Sequence, residues 1–555
     1  MQTSHRCSTG ITQRLLTGLY ACGILLIFLV SRWRVLRDRG ALNPDEADLL
    51  VAGLRASENL IPLKTFTTST YGPLGPQLLG ILHILGLPLN LLVAHLLATV
   101  LAVFIATVYF STTKRLFGHY VAVLTSLPLV WIWADGGTNH EDFLHLSPSL
   151  IPVSILVFAG WVYLVRQSIV GSAAICLLAS LATLAKYQFG VISAVFLAYV
   201  LKDVVASHPN FRFSRRLIAG FLMGSIFLFP IAIQALMIFL SGERQAMFDE
   251  SLAVVINYLR TTREYGFVDR ITQIIQLILL REPWILIPPA AGVLYIGCQF
   301  VYQSSRSDIF QLYVFAALRI FVTMASGVLS IAIGPNVFPH HLYVLLASGI
   351  VSVPLALRSL PPASNTTEGR LKNEIAEARM SFVRVLAVVV LTISLVMIPQ
   401  NQDGKLSTYQ GAPGLRFTSN RARLPSTIAG VEALGTKCPP KSVVYVFGWS
   451  AEMYSYFDWT PASRYTISTW LTGVSSKQLI YRNTLAHEVR VAQPDCIVEA
   501  VGEGFFASSI SELTKSLLTV MPELYDYMVS HYEAHRVVYS GQYGDQVLTY
   551  WVKHP

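Results

Sequence analysis

Long apolar runs recur along the chain, and they constrain its fold more than any other feature of the sequence. A helix of about 20 apolar residues crosses a bilayer, and runs of suitable length lie at 15–34, 91–111, 119–134, 148–165, 170–185, 189–201, 217–240, 284–303, 310–333, 341–357 and 382–398. The chain is 53% hydrophobic and only 13% charged, and a soluble domain could not bury that much apolar surface. The sequence therefore predicts a mainly α integral membrane protein with about 11 transmembrane helices.

The first apolar stretch, Leu15 to Trp33, is too long for the hydrophobic region of a signal peptide, and no small-residue cleavage site follows it. We therefore expect a retained first helix. A further run at 74–88 is short and broken by Pro and Gly, which predicts a re-entrant or interfacial segment. The net charge of +9 is expected to serve contact with anionic membrane lipids. No nucleic-acid-binding motif is present, so no nucleic-acid partner is predicted.

Residues 400–555 differ in composition from residues 1–399, and we interpret the two ranges as separate domains. Apolar runs at 442–447 and 496–498 are typical of buried strands, and helical stretches follow near 449–457 and 510–529. The first range is expected to be the catalytic membrane domain and the second a small extracytoplasmic α/β domain. Cys438 and Cys496 both fall in the second range, and they can form a disulfide if that domain faces an oxidising compartment.

Polar groups concentrate in loops that fall on one side of the membrane when the N-terminus is cytoplasmic. These groups are Asp45 and Glu46, then His140, Glu141 and Asp142, then Lys186 and Gln188, and finally His340 and His341. Loops are polar wherever they meet water, so each residue alone is explained by solvation. Their convergence instead indicates a polar site beneath the outer surface.

The outer side also carries many basic residues, against the usual excess of Lys and Arg on the inner side. A phosphate-containing ligand would explain them, because Arg and Lys bind phosphate at the headgroup level. Arg260, Arg263 and Lys186 are the residues that we expect to bind it. The alternative for Arg260 and Arg263 is an amphipathic helix lying on anionic lipid. For Lys186 the alternative is an amine that snorkels from an apolar boundary.

The layout resembles the GT-C superfamily of membrane glycosyltransferases, in its bacterial branch related to protein O-mannosyltransferases and the lipid A aminoarabinose transferase. The resemblance rests on Asn-Pro-Asp-Glu at 43–46, His-Glu-Asp-Phe at 140–143, Ala-Lys-Tyr-Gln at 185–188 and Pro-His-His at 339–341. It implies a GT-C-like bundle with a C-terminal extracytoplasmic domain in the bacterial inner membrane, with that domain in the periplasm. It also implies transfer of a sugar from a polyprenyl-phosphate donor to a lipid, glycan or protein acceptor.

The resemblance assigns the general base to Asp45, with Glu46 as its catalytic helper. His140, Glu141 and Asp142 are expected to orient the acceptor or the base. Tyr71, Gln188, His340 and His341 are expected to contact the donor or its sugar, Tyr71 as a stacking surface. No cofactor is required for this chemistry, and the lipid-linked sugar enters as substrate. A divalent cation, Mg²⁺ or Mn²⁺, would take Asp45, Glu141 and Asp142 as ligands.

Two other functions stay open on the sequence. A transporter or flippase of lipid-linked sugars would use buried carboxylates and a lysine to bind substrate or protons. The absence of clear internal repeats in the sequence counts against it. A non-catalytic protein of envelope assembly would keep the fold with degenerate motifs. The chain also departs from the family pattern at Leu146-Ser147-Pro148, which puts the acceptor specificity in doubt more than the mechanism.

Overall fold

The structure is a computed structural model that describes residues 18–33, 36, 44–68, 71–135, 144–166, 168–206, 213–248, 266–280, 282–303, 307–333, 341–358, 434–448, 450–467, 476–500, 517–541 and 544–555. The helices of its first part are α1 (Gly18–Ser31), α2 (Pro44–Glu58), α3 (Leu74–Ile84), α4 (Leu91–Phe117), α5 (His119–Asp135), α6 (Leu150–Val165), α7 (Ile169–Ala185), α8 (Gly190–Ala206), α9 (Phe213–Leu240), α10 (Phe267–Leu280), α11 (Ile287–Gln303), α12 (Ser307–Ala332) and α13 (Leu342–Leu357). Short helical turns lie at Tyr187–Phe189, Arg244–Ala246 and Pro283–Leu286.

Within the described part of the chain, five helical spans are long and apolar enough to cross a membrane, at Leu91–Phe117, Tyr187–Val205, Leu217–Leu240, Pro283–Phe300 and Phe310–Ala332. Six further apolar helices of the described residues are shorter. The predicted helical membrane protein is thus confirmed, and the number of about 11 spans stays a prediction. The apolar run at 382–398 lies outside the described residues.

The centre of the bundle is α13, all of whose residues are buried. It packs against α6, α12 and α11, and Gly349 and Ser352 are among its small residues. By contrast, only 17% of the most apolar part of α9 is buried, as expected of a helix that faces lipid. Burial therefore separates helices that face the protein interior from those that face the membrane.

The predicted short segment at 74–88 forms α3, which has 11 residues and is too short to cross a bilayer. It packs along α2. Gln77 of α3 and Gln234 of α9 exchange side-chain hydrogen bonds of 3.1 and 2.9 Å between amide nitrogen and oxygen. Gln77 also donates to the carbonyl oxygen of Leu60, over 2.8 Å. These bonds satisfy two amides in apolar surroundings and attach α3 to a spanning helix.

A charged cluster joins four helices at the end of the bundle where α8 terminates. Asp203 of α8 accepts hydrogen bonds from the hydroxyl of Tyr163 and from Arg319, the latter over 3.4 Å. Arg319 also donates to the carbonyl oxygen of Leu355 over 2.8 Å, and the guanidinium of Arg358 lies 4.1 Å from the ring centroid of Tyr163. Because α8 begins beside Lys186, this cluster lies at the opposite end of the bundle from Lys186.

The C-terminal domain is an α/β domain, as predicted. Its strands are β1 (Val443–Gly448), β2 (Thr460–Pro461), β3 (Cys496–Ala500), β4 (Tyr532–Gly541) and β5 (Gly544–Lys553), and its helices are α14 (Glu452–Phe457), α15 (Ser476–Ala492), α16 (Leu517–Val520) and α17 (Pro522–His531). The strand order is β2-β1-β3-β5-β4. Strands β1, β2 and β3 are parallel, and β5 pairs antiparallel with β3 and β4.

The two predicted strands correspond to β1 and β3, which lie at the centre of this sheet. Strand β3 is buried throughout and β1 at five of its six positions, which accounts for their continuous apolar sequences. The predicted disulfide between Cys438 and Cys496 is present. The helix predicted at 510–529 divides at Pro522 into α16 and α17, since proline begins a helix readily and disrupts its interior. The predicted domain boundary at 399–400 lies outside the described residues.

Candidate functional site

Asp45 and Lys186 approach each other at one end of the bundle. Asp45 lies in the first turn of α2, where the positive end of the helix dipole favours a carboxylate, and its side chain is half-buried. Lys186 follows the last residue of α7, is 5% exposed, and its Nζ donates to Oγ of Ser149 over 2.9 Å. Burial lowers the pKa of Lys186 to about 8, and the negative charge of Asp45 acts in the opposite direction.

Glu46, the next residue of α2, is fully buried. Its Oε1 accepts from the backbone N–H of Leu146 over 2.7 Å, and its Oε2 lies 3.2 Å from Nε2 of His95. Burial alone would raise the pKa of this carboxyl, but the charge and hydrogen bond of His95, the charge of His145 and the Leu146 N–H together hold the pKa of Glu46 below its usual value. Glu46 is therefore a buried carboxylate.

Arg32, beyond the end of α1, extends this buried polar region. It is 1% exposed, and its guanidinium donates to the carbonyl oxygen of Leu144. The guanidinium also interacts electrostatically with Tyr343 and with the carboxylate of Glu46. The Tyr343 hydroxyl in turn accepts from the indole N–H of Trp133, over 3.1 Å. Five segments of the bundle thus meet in one cluster of buried polar groups, namely the end of α1, α2, α5, the residues that begin at Leu144, and α13.

The polar segment before α3 closes over the end of α7. The backbone N–H of Gly72 donates to the carbonyl oxygen of Ala185 over 3.1 Å, and Thr68 hydrogen-bonds the hydroxyl of Tyr187. Tyr71 is 2% exposed, and its hydroxyl donates to the carbonyl oxygen of Asp48 over 3.3 Å. Tyr71 thus packs beneath α2, and its predicted role in stacking on a sugar stays a prediction.

Of the other predicted residues, Gln188 lies in the turn directly after Lys186, and His341 precedes α13 with 8% of its side chain exposed. His341 is two residues from Tyr343, so it lies beside the buried cluster. His140, Glu141, Asp142, Arg260, Arg263 and His340 lie outside the described residues. Among the residues that the structure does describe, no group of three or more His, Cys, Asp or Glu side chains is arranged to hold a metal ion.

The C-terminal domain contacts the site helix directly. Ala47 and Val51 of α2 belong to the same apolar core as Val446 and Tyr454 of the C-terminal domain. Asp48 of α2 accepts a hydrogen bond from the hydroxyl of Thr466. Helix α2 is therefore held between the bundle and the C-terminal domain.

Arg464 makes a second connection between the two domains. Its guanidinium donates to the carbonyl oxygen of Leu63. It also lies 3.1 Å from a carboxylate oxygen of Glu488 and 3.5 Å from one of Glu243. Because Arg464 is 7% exposed, these partners are needed to offset the loss of its hydration. The loop after α2 is thus attached to the C-terminal domain as well.

Sequence reasoning missed several residues of this site. His95 lies within an apolar spanning helix, and an ionisable residue in such a helix is itself a signal of function. Arg32 stands at the end of the first apolar run, where the sequence does not distinguish it from the other basic residues of the outer side. Asp48, Thr466 and Ser149 carried no signal, since their roles depend on contacts between distant parts of the chain.

Comparison with solved structures identifies a shared fold. The crystal structure of ArnT from Cupriavidus metallidurans bound to undecaprenyl phosphate is 12% identical, covers 97% of this chain and 98% of that chain, and has a TM-score of 0.51. The apo structure of the same protein is 13% identical, covers 98% of each chain, and has a TM-score of 0.51. The crystal structure of the Archaeoglobus fulgidus oligosaccharyltransferase tethered to an acceptor peptide is 11% identical, covers 97% of this chain and 74% of that chain, and has a TM-score of 0.38. No family model and no curated protein sequence matches the chain.

The chain therefore has the same fold as ArnT. The resemblance drawn from the four motifs is confirmed at the level of the fold. At this sequence identity the likeness shows the fold alone and not the reaction.

Proposed function

We propose that this protein is an integral membrane glycosyltransferase that moves a sugar from a polyprenyl-phosphate donor to an acceptor hydroxyl. The observation that carries the proposal is the pair formed by Asp45 and Lys186, a partly exposed carboxylate facing a buried ammonium. A base and a phosphate-binding cation are the two groups that this transfer needs at one place. The fold supports the donor class, because ArnT with the same fold is seen bound to undecaprenyl phosphate.

In the proposed reaction Asp45 takes the proton of the acceptor hydroxyl. The acceptor oxygen then forms a bond to the anomeric carbon, and the bond from that carbon to the phosphate oxygen breaks. The bonding electrons leave with the lipid phosphate, and Asp45 later returns its proton to solvent. One displacement with one base inverts the anomeric configuration. Lys186 stabilises the charge that develops on the phosphate, in surroundings with little water to screen it.

Further predicted residues complete the proposal, and most of them lie outside the described ranges. Arg260 and Arg263 are proposed to share the donor phosphate with Lys186. His140, Glu141 and Asp142 are proposed to orient the acceptor or the base. Gln188, His340 and His341 are proposed to contact the donor. Should the reaction use Mg²⁺ or Mn²⁺, Asp45, Glu141 and Asp142 are the proposed ligands, since carboxylate oxygens suit both ions.

The proposed setting is the bacterial inner membrane, with the N-terminus in the cytoplasm and the C-terminal domain in the periplasm. The disulfide between Cys438 and Cys496 supports this orientation, because disulfides persist in oxidising compartments. A polyprenyl-phosphate sugar would then be used on the outer face, in synthesis of a cell-envelope glycan or glycolipid.

The test supplies radiolabelled polyprenyl-phosphate sugars to membranes containing wild-type protein, Asp45→Asn or Lys186→Gln. We expect the Asp45→Asn variant to lose transfer by roughly 10²–10⁴-fold, the usual contribution of a general base. Asp526→Asn and Lys437→Gln are the matched controls, since both side chains are exposed in the C-terminal domain. Full transfer by Asp45→Asn would remove Asp45 as the base. If the protein flips the labelled lipid across the membrane but transfers no sugar, the proposed enzymatic activity is wrong and the protein is a lipid transporter.

A further inference from the structure

Glu46 and Asp45 are adjacent in sequence yet differ in surroundings. Successive helical residues point about 100° apart, so Asp45 faces Lys186 while Glu46 turns into the bundle. Glu46 has no exposed surface, and each of its carboxylate oxygens has a partner on another segment, Leu146 or His95. An acceptor hydroxyl could not reach such a carboxylate without displacing one of these partners.

The partner segment, residues 144–149, is held at two points in its first half. Arg32 binds the carbonyl oxygen of Leu144, and Glu46 binds the N–H of Leu146. The segment then turns tightly, with the N–H of Ser149 donating to Oγ of Ser147 over 3.2 Å. The turn leads directly to the hydroxyl of Ser149, which accepts from the ammonium of Lys186.

Together with the electrostatic interaction between Lys186 and Asp45, these contacts form a closed chain of residues around the site. It runs from Glu46 through Leu146 and the turn to Ser149, from Ser149 to Lys186, and from Lys186 back to Asp45 beside Glu46. We infer that Glu46 is a positioning residue, which ties α2 to the turn at 144–149 and thereby holds Lys186 opposite Asp45. The role in transfer rests on the proposed function, whereas the structural connection does not.

The ionised form of Glu46 is the one suited to this role. A buried carboxylate is tolerated only with charged or hydrogen-bonding partners, and His95 and Arg32 supply them from α4 and from the end of α1. The Leu146 N–H would lose its acceptor if Glu46 were replaced by an apolar residue. The carboxylate therefore fixes three segments of the bundle relative to α2.

Kinetics separate positioning from direct catalysis. We expect Glu46→Gln and His95→Leu each to lower kcat by roughly 10–100-fold, because a shift of about 1 Å between reacting groups costs that much. The KM for donor and acceptor should stay within about threefold, since neither side chain touches substrate. The double variant should be no worse than either single variant, whereas His95→Gln, which keeps a donor for Oε2, should retain most of the activity. Glu58→Gln is the matched control, an exposed carboxylate at the other end of α2.

Two outcomes would overturn the inference. A loss for Glu46→Gln as large as that for Asp45→Asn, with full activity in His95→Leu, would make Glu46 a catalytic group. A change confined to the KM of one substrate would make it a binding group. If Glu46→Gln does not fold, Ser149→Ala tests the same chain of contacts from the Lys186 side. We expect the same loss of kcat in Ser149→Ala. Unchanged activity in that variant would overturn the inference.

Amide hydrogen exchange tests the structural connection without any substrate. We expect the peptide containing Leu146 to exchange at least about tenfold faster in Glu46→Gln than in wild type, because a hydrogen bond to a charged acceptor is weakened. Asp45→Asn should leave that rate unchanged. If wild-type protein transfers no sugar, the proposed function fails while this measurement still decides the role of Glu46. Unchanged exchange in Glu46→Gln would overturn the inference.

Discussion

Lys186 carries its ammonium in a place where little water can solvate it. The pKa of about 8 lies below the ordinary value for lysine, so the side chain is a cation below pH 8 and becomes neutral above it. An anionic phosphate is bound by the cation only. The charge state of one buried residue therefore limits the pH range in which the proposed donor can be used.

The value of kcat/KM for the donor is accordingly expected to fall as pH rises through about 8, approaching tenfold per pH unit above it. The profile of kcat/KM reports the free enzyme, so the pKa without donor is the relevant one. In Lys186→Arg this decline should disappear, because arginine stays protonated throughout the range. The measurement is kcat/KM with labelled donor from pH 6 to 9.5. An unchanged decline in Lys186→Arg would assign the titration to another group.

At the residue scale, the sequence carried some roles and not others. Asp45 and Lys186 were predicted because each stands at an apolar boundary, where a charge is unusual. The difference between Asp45 and Glu46 could not be predicted, since it depends on which way each side chain points from α2 and on a partner, His95, that is 49 positions away. The roles of Asp45 and Lys186 stay predictions, as do those of the six predicted site residues outside the described ranges.

At the scale of elements, the approach of the segment before α3 to the end of α7 depends on glycine. A Cβ atom on Gly72 would lie 1.8 Å from the carbonyl oxygen of Leu184, which is far inside van der Waals contact. The loop could accept a side chain there only by moving away from Lys186. The lack of a side chain at Gly72 therefore allows the loop to lie close to the end of α7 and to Lys186.

We expect Gly72→Ala to lower kcat/KM at least about tenfold, through displacement of the loop from Lys186, and to destabilise the protein by about 1–3 kcal/mol. Transfer assays and thermal unfolding in detergent measure the two effects. Gly220→Ala in α9 is the control, because a Cβ there has no atom within 4 Å. Equal behaviour of the two variants would show that the loop adapts to the added methyl group.

Most elements could be predicted because each has a local signal. Apolar runs predicted the spanning helices, the shortness of the run at 74–88 predicted α3, and Val443 to Phe447 predicted a buried strand. The division of the helix at Pro522 was missed, although proline there is itself a local signal. The packing of α2 between two domains has no local signal, since it depends on residues 418 positions apart in sequence.

At the scale of the whole molecule, helix α2 carries Asp45 of the candidate site and also packs into the apolar core of the C-terminal domain. The disulfide between Cys438 and Cys496 fixes that domain by joining positions 58 residues apart. Closing a loop of this length removes about 4 kcal/mol of unfolded-state entropy in the chain-entropy model. Stability of the C-terminal domain is therefore expected to affect the position of α2 and, through it, transfer.

Replacing both cysteines by alanine should lower the melting temperature of the C-terminal domain, by an amount corresponding to about 2–5 kcal/mol. On warming, the double variant should lose transfer at a lower temperature than wild type, because α2 loses a packing partner when the C-terminal domain unfolds. Cys22→Ala is the control, since Cys22 is an exposed free cysteine. If the double variant unfolds and loses transfer at the same temperatures as wild type, the two domains are not coupled.

The contact between Asp48 and Thr466 also determines when the site can form during synthesis of the chain. A ribosome adding about 5–20 residues per second needs roughly 20–80 s to synthesise the 418 residues that separate them. Throughout that interval Ala47 and Val51 are already made while the domain that covers them is not. Assembly of the site is therefore a late event in biogenesis, and a nascent chain can enter the membrane well before it can act on a substrate.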